Sequence, residues 1–301
     1  MHSLGTIGIV GAGGMGRGIA EAACVAGIDT VLVKATGGDA EAVAAEIGRS
    51  LDKAVGKGKL TVEKRDEALR HLRTSSSLSS LAPCRLVIES VVEDLPTKQG
   101  LLPQIEDRVS PACIIASNTS SLSLQTLSDS LRAPVRFLGL HFFSPVPAMK
   151  LVEIAATVRT YPNAVELAQA FVAGLGKTPV MVGDSSGYIV NRLLVPYLLD
   201  GISALEQRVA PAASIDLAMK LGCGHPVGPL ALADAIGLDV VHAMAKSLHK
   251  ELGDRRYSPP ALLRRLVTRG WLGKKSGRGV YDYATSPPSE NADLWPMELS
   301  A

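Results

Sequence analysis

The run from Thr6 to Ala20 constrains the fold more than any other part of the chain: "TIGIV" passes directly into "GAGGMGRGIA". The β-branched residues make a short buried strand, and helical spacing follows to about Ala26. Between them Gly11, Gly13 and Gly16 give G-x-G-x-x-G. The first glycine permits a tight turn, the second lets backbone approach a pyrophosphate, and the third allows close packing of helix on strand. Gly14 and Met15 open the helix, where free amides and the positive dipole end face an anion. As a bare pattern the match is weak, and a glycine turn that merely packs tightly would give it too. Its setting, with a second strand "TVLV" at 30–33, favours dinucleotide binding.

The alternation continues. "RLVIES" (85–90), "CIIAS" (113–117) and "VRFLGL" (135–140) read as buried strands, with helical spacing over 14–26, 39–57, 61–72 and 94–108. Strands separated by helices imply an α/β, doubly wound, mostly parallel sheet, which "AMKLVEI" (148–154) and "KTPVMV" (177–182) extend. After "GDSSG" the β-branched runs fade and apolar residues recur every three or four positions. Tyr188, Leu193, Leu194, Tyr197 and Leu198 share much of one predicted helix face. The expected division is a first domain over 1–184, a smaller all-helical domain over 185–285, and an unassigned proline-rich tail over 286–301.

Composition excludes several classes. The net charge of +2 argues for neither a nucleic-acid nor a membrane partner. No apolar run approaches the ~18–20 residues of a membrane span, and no secretory leader is visible, so a cytoplasmic protein is expected. Cys24, Cys84, Cys113 and Cys223 are far apart, with no metal or disulfide spacing. Of the six histidines, His2 and His71 read as peripheral, His242 and His249 as solvated, and His225 as part of a turn; no metal site is expected. "GKT" at 176–178 is not a phosphate loop, because Phe171 stands where its first glycine would be.

Three segments hold polar residues that propensity does not explain. "IIASNTSSLSL" puts Ser120 past a strand's carboxyl end, "GLHFFSPVPAMKLVE" holds His141 and Glu153, and "SSGYIVNRLL" holds Asn191 early in a helix. These are expected to converge on a cleft between the domains. Hydride transfer from an alcohol needs a base for the hydroxyl proton and donors for the developing oxyanion. His141 fits the base, Glu153 would orient its ring, and Ser120 and Asn191 would hold the substrate oxygens. Read singly, His141 is equally a packed ring, Glu153 a strand-end charge and Asn191 a surface amide.

At these residues the chain resembles the 3-hydroxyacyl-CoA dehydrogenase family, especially its short 3-hydroxybutyryl-CoA type. The likeness runs from about residue 5 to 283 through "GAGGMGRGIA", "VIESVVED", "ASNTSSL", "GLHFFSPVP", "SSGYIVNRLLVPYL", "GHPVGPL" and "GKKSGRGVYDY", in that order. It implies a Rossmann-type first domain, a helical second domain that forms a homodimer, and NAD or NADP as cofactor. It also implies that His141 and Glu153 are the catalytic pair, with Ser120 and Asn191 at the substrate. Glu93, Lys98, Lys275 and Ser144 match cofactor-contacting positions, although the family has asparagine where Ser144 stands. "RSLDKAVGKGKL" resembles the coenzyme A-contacting helix pair, with Ser50 and Lys57 in the matching places. The cousin β-hydroxyacid dehydrogenases carry a lysine four residues before the helix asparagine; here that position is Gly187, which disfavours their mechanism. The same catalytic residues would serve a substrate carried on an acyl carrier protein, and a non-catalytic relative could retain the fold.

Lys34 departs from the expected pattern. An acid at the end of the second strand normally accepts hydrogen bonds from the adenosine ribose, and a lysine has only donors. A 2′-phosphate would be attracted instead, so NADP(H) is favoured. The alternative is a solvated Lys34, with backbone amides of residues 35–37 holding NAD.

Overall fold

The computed structural model describes residues 5–35 and 39–294. His2, the amides of Thr36 and Gly37, and residues 295–301 of the tail therefore lie outside the described residues. The chain divides into two units, Met1–Tyr188 and Ile189–Ala301.

The first unit follows the sequence β1 (Ile7–Val10), α1 (Gly14–Val25), β2 (Thr30–Val33), α2 (Ala40–Gly56), α3 (Val62–Arg70), β3 (Leu72–Ser75), β4 (Leu86–Glu89), α4 (Leu95–Glu106) and β5 (Ile114–Ser117). Then come α5 (Leu124–Ser128), β6 (Phe137–Phe142), β7 (Leu151–Ala156), α6 (Pro162–Gly174) and β8 (Thr178–Gly183). Among the described residues these strands form one eight-stranded sheet in the order β3-β2-β1-β4-β5-β6-β7-β8. The pairs from β3 to β6 are parallel; β7 runs antiparallel to β6, and β8 runs parallel to β7.

Side chains on successive strand residues enter different cores, which is why the strands read as unbroken apolar runs. Ile7, Ile9, Leu32, Leu86, Ile88 and Leu138 pack with residues of α1, α2 and α6. Val10, Val31, Val33, Val87, Ile115 and Phe137 pack with residues of α4 and α5. The register aligns Val10 with Val33 and with Glu89, and Glu89 with Ser117, so the carboxyl ends of β1, β2, β4 and β5 form one edge.

Three elements of the first unit, β3, α5 and α6, have no counterpart in the sequence reading. β3, "LRTS", is a half-exposed edge strand held by backbone pairing to β2, and it carries no apolar signature. Helical spacing to residue 72 overran it; α3 ends at Arg70. α6 buries Ala164, Ala168, Phe171 and Val172 on one face.

The second unit contains α7 (Val190–Glu206), α8 (Ala212–Cys223), α9 (Pro229–Ile236), α10 (Leu238–Leu252), α11 (Ala261–Thr268), β9 (Tyr281–Asp282) and β10 (Ser289–Glu290). It is helical but not all-helical, because β9 and β10 pair antiparallel. The segment from Ser286 is not a separate tail over its described length. Asn291 is buried and donates from Nδ2 to the Gly279 carbonyl at 2.8 Å, and Arg278 bonds Asp293 at 2.5 Å. The expected α7 face is also corrected. Tyr188 precedes the helix and Leu193 is exposed, whereas Val195, Leu198, Leu199, Ile202 and Leu205 are buried. Of the expected residues Leu198 is buried and Leu194 and Tyr197 pack against the same core, so spacing located the stripe in part.

Two buried carboxylates organise this unit. Asp216 accepts from the Leu230 and Ala231 amides at 2.8 and 2.9 Å, capping α9, and from the Tyr281 hydroxyl at 2.7 Å. Asp234 accepts from the Val280 and Tyr281 amides at 3.0 and 2.9 Å and from the Tyr283 hydroxyl at 3.1 Å. Burial pushes the Asp234 carboxyl up to about 6, against the pull of those donors. A Cβ on Gly228 would lie 2.4 Å from Asp216 Cα, and one on Gly279 would lie 2.2 Å from Asp234 Oδ1. "GHPVGPL" and "GKKSGRGVYDY" are thus glycine cradles around two aspartates.

Candidate active site

The glycine turn fits a dinucleotide. Gly11 takes φ +118°, and a Cβ there would lie 2.4 Å from the Ser90 carbonyl oxygen. A Cβ on Gly16 would lie 1.8 Å from the Gly11 carbonyl oxygen, so α1 can sit this close only with glycine. Gly13 and Gly14 face open space, with nothing within 4 Å of a Cβ. Gly13 caps α1 without a side-chain bond, and the first turn holds no acid, so the helix amides and dipole stay available to an anion. Met15 is half-buried beside them.

His141 and Glu153 are cross-strand partners in the β6–β7 ladder. Paired residues on antiparallel strands project to the same face, and His141 Nδ1 lies 2.7 Å from Glu153 Oε2. Both are buried, at 6% and 1% exposure. The Phe143 ring meets the imidazole edge-on at a centroid distance of 4.5 Å, and Tyr188 packs at 5.4 Å. With Glu153 as a carboxylate acceptor, Nδ1 is the donor, and in the neutral ring Nε2 then carries the lone pair. Asn118 steadies the same strand: its Oδ1 accepts from the Phe142 amide at 2.9 Å, and its Nδ2 donates to Ser90 Oγ at 3.2 Å.

The Ser120 loop is assembled on one carboxylate oxygen. Glu93 Oε1 accepts from the Thr119 hydroxyl, the amides of Ser120 and Ser121, and the hydroxyls of Ser120 and Ser121, at 2.7–3.2 Å. Burial raises the Glu93 pKa, but the Lys98 cation and these donors outweigh it, and the net shift is downward. Behind the loop, wholly buried Lys98 donates to both oxygens of wholly buried Glu89, at 2.7 and 3.0 Å. Its Nζ is 3.5 Å from Glu93 Oε2. Glu89 also accepts from the Ser117 hydroxyl at 2.6 Å and the Val91 amide at 2.7 Å.

Several expected contacts therefore change character. Lys98 has no exposed surface for a cofactor; its ammonium braces two carboxylates beneath the loop. Ser50 is half-buried beside the buried Glu21 of α1, and burial raises that carboxyl's pKa more than the Ser50 hydroxyl lowers it. Lys275 forms an ion pair with Asp239 at 2.6 Å, which commits its ammonium within the second unit. Lys57, at the carboxyl end of α2, and Ser144 are exposed, and Lys34 is half-buried. Asn191 is half-buried in the first turn of α7. Glu89 went unrecognised from sequence. The available signal was a carboxylate in the final, core-facing position of the apolar run "LVIE".

The described residues contain no cluster able to hold a metal ion, and among them no helix is long and apolar enough to cross a membrane.

Comparison with known proteins agrees with this geometry. The family model for the NAD-binding domain of 3-hydroxyacyl-CoA dehydrogenase matches residues 6–185, and that for its C-terminal domain matches 187–283. The chain is 40% identical to a 3-hydroxybutyryl-CoA dehydrogenase of Bradyrhizobium diazoefficiens, over 94% of this chain and 96% of that one. It is 42% identical to one from Mycobacterium tuberculosis, over 92% and 98%. The crystal structure of FadB2 from M. tuberculosis superposes with a TM-score of 0.88 at 42% identity, covering 92% of this chain and 98% of that one. That of (S)-3-hydroxybutyryl-CoA dehydrogenase PaaH1 from Ralstonia eutropha gives 0.87 at 42% identity, covering 93% and 99%. With both domain models matched in succession along the glycine turn and the His141–Glu153 strands, this chain belongs to the 3-hydroxyacyl-CoA dehydrogenase family.

Proposed function

We propose that the protein interconverts a short 3-hydroxyacyl-CoA and its 3-oxoacyl form, with NAD(P) as redox partner. The observation that carries this reading is the buried His141–Glu153 pair at 2.7 Å, in the unit that also holds the glycine turn. His141 Nε2 takes the proton of the 3-hydroxyl group in oxidation and returns it in reduction. Glu153 fixes the ring tautomer and balances the charge of the imidazolium. The Ser120 hydroxyl and the Asn191 amide hold the substrate oxygens as charge moves between them. Glu93 and Lys98 shape the Ser120 loop. Lys57 offers a cation for a phosphate of coenzyme A, with Ser50 one helical stretch before it on α2. The nicotinamide, when bound, accepts or supplies the hydride.

The assay is nicotinamide absorbance with acetoacetyl-CoA. His141→Ala should lower kcat at least 100-fold, and Glu153→Gln should do so by a similar order, because general base catalysis contributes roughly 10²–10⁴. Cofactor affinity should stay near the parent value. More than a tenth of parental turnover in His141→Ala removes the imidazole from this role. The apolar side chains of Leu193, Val209, Leu217 and Leu221, all exposed in the second unit, support a homodimer, which light scattering tests. Free thiols at all four cysteines support a reducing cytoplasm as the compartment.

A further inference from the structure

Resting on the reading above that the chain binds a nicotinamide dinucleotide, we infer that Lys34 selects the 2′-phosphorylated cofactor, NADP(H). In this fold the end of the second strand meets the adenosine ribose. The backbone fixes Lys34 at that point. Its N–H donates to the Ser75 carbonyl at 2.9 Å, and the Gly11 N–H donates to the Val33 carbonyl at 2.9 Å, tying the glycine turn to the same strand end.

A ribose with a free 2′-hydroxyl is matched by a carboxylate at this strand end, and this chain carries Lys34 there instead. Lys34 has three donors and no acceptor. The "ATGG" that follows contains no acid, and its Thr36–Gly38 lie outside the described residues. The next carboxylate along the chain, Asp39, turns one oxygen to α2: its Oδ1 accepts from the Glu41 and Ala42 amides at 2.8 and 3.2 Å as the helix cap. The adjoining end of β3 is the run "TSSS" at 74–77, which carries no negative charge and whose Ser75 hydroxyl donates to the Ser77 carbonyl at 3.3 Å. Lys34 forms no ion pair among the described residues, so its ammonium is not neutralised by a neighbour there. A phosphate monoester on the 2′-oxygen answers all of these features. It brings the negative charge that pairs with the Lys34 ammonium and acceptor oxygens for its donors.

Calorimetric titration with adenosine 2′,5′-bisphosphate and with 5′-AMP isolates the 2′-phosphate from catalysis. The parent should bind the bisphosphate at least tenfold more tightly, and the advantage should shrink as salt rises. Lys34→Met should reduce it below threefold, and Lys34→Asp should reverse the NADPH-to-NADH ratio of kcat/KM. Equal affinity for the two probes, no binding of either, or a preference unchanged in Lys34→Met overturns the inference. Because these probes carry no nicotinamide, a failure to reduce acetoacetyl-CoA would count against the catalytic reading alone.

Discussion

Lys98→Met is the most severe test of how the Ser120 loop is held. The substitution removes the only cation paired with Glu89 among the described residues and leaves that carboxylate at 0% exposure. Three donors fix Glu89: the Lys98 ammonium through both oxygens, the Ser117 hydroxyl and the Val91 amide. Removing one partner of such a buried pair costs about 3–5 kcal/mol, because the remaining charge has lost its counterion. That is a large part of the roughly 5–15 kcal/mol that holds a typical domain together. Replacing both partners, as Glu89→Gln with Lys98→Met, should return the protein to within about 1–2 kcal/mol of the parent, since no charge is then stranded. Urea denaturation followed by far-ultraviolet circular dichroism measures both. Faster amide exchange at Ser120 and Ser121, which donate to Glu93, should accompany a lower kcat. A cost below about 1 kcal/mol for Lys98→Met, or a double variant no more stable than the single one, would show that the pair does not carry the loop.

Further outcomes follow from the second unit and from α4. Asp234 is raised to about 6 from its ordinary 3.8, so its contribution to stability is full below 3.8 and is lost as pH rises through about 6. Carbon-13 titration of that carboxyl should find a midpoint near 6, and one below 4 would refute the argument from burial. Gly279→Ala forces a Cβ to within 2.2 Å of Asp234 Oδ1 and should cost about 1–3 kcal/mol or more by thermal denaturation. Gly100→Ala, in an exposed turn of α4 with nothing within 4 Å, should instead stabilise by about 0.5–1 kcal/mol. If the two alanines behave alike, the cradle explanation fails.

What the sequence discloses here depends on whether a feature is local. The glycine turn is legible because its cause lies within six residues: a positive φ at Gly11 and a close approach at Gly16. The buried strands are legible because both of their faces meet apolar helices. β3 is not, since it joins the sheet through backbone bonds alone and its side chains "LRTS" carry no pattern. His141 and Glu153 sit twelve residues apart on two strands, and spacing alone does not distinguish catalytic partners from a packed ring and an isolated charge. Only the antiparallel register of β6 against β7 puts them side by side.

The positions expected at ligands show what residue type alone leaves out. Lys98, Lys275 and Ser50 bear groups suited to a cofactor or a phosphate, and each stands beside a carboxylate: Glu89 in a closed buried pair, Asp239 in an exposed one, and Glu21. Those carboxylates lie at least nine residues away in sequence, so a motif cannot show that a side chain is already occupied. Lys34 forms no such pair among the described residues, and the nearest following acid turns one oxygen to a helix cap. The same chemical group thus supports different conclusions at Lys98 and at Lys34. What separates them is the accounting of acceptors around each, and that accounting directs Lys98 to positioning the Ser120 loop and Lys34 to choosing the cofactor.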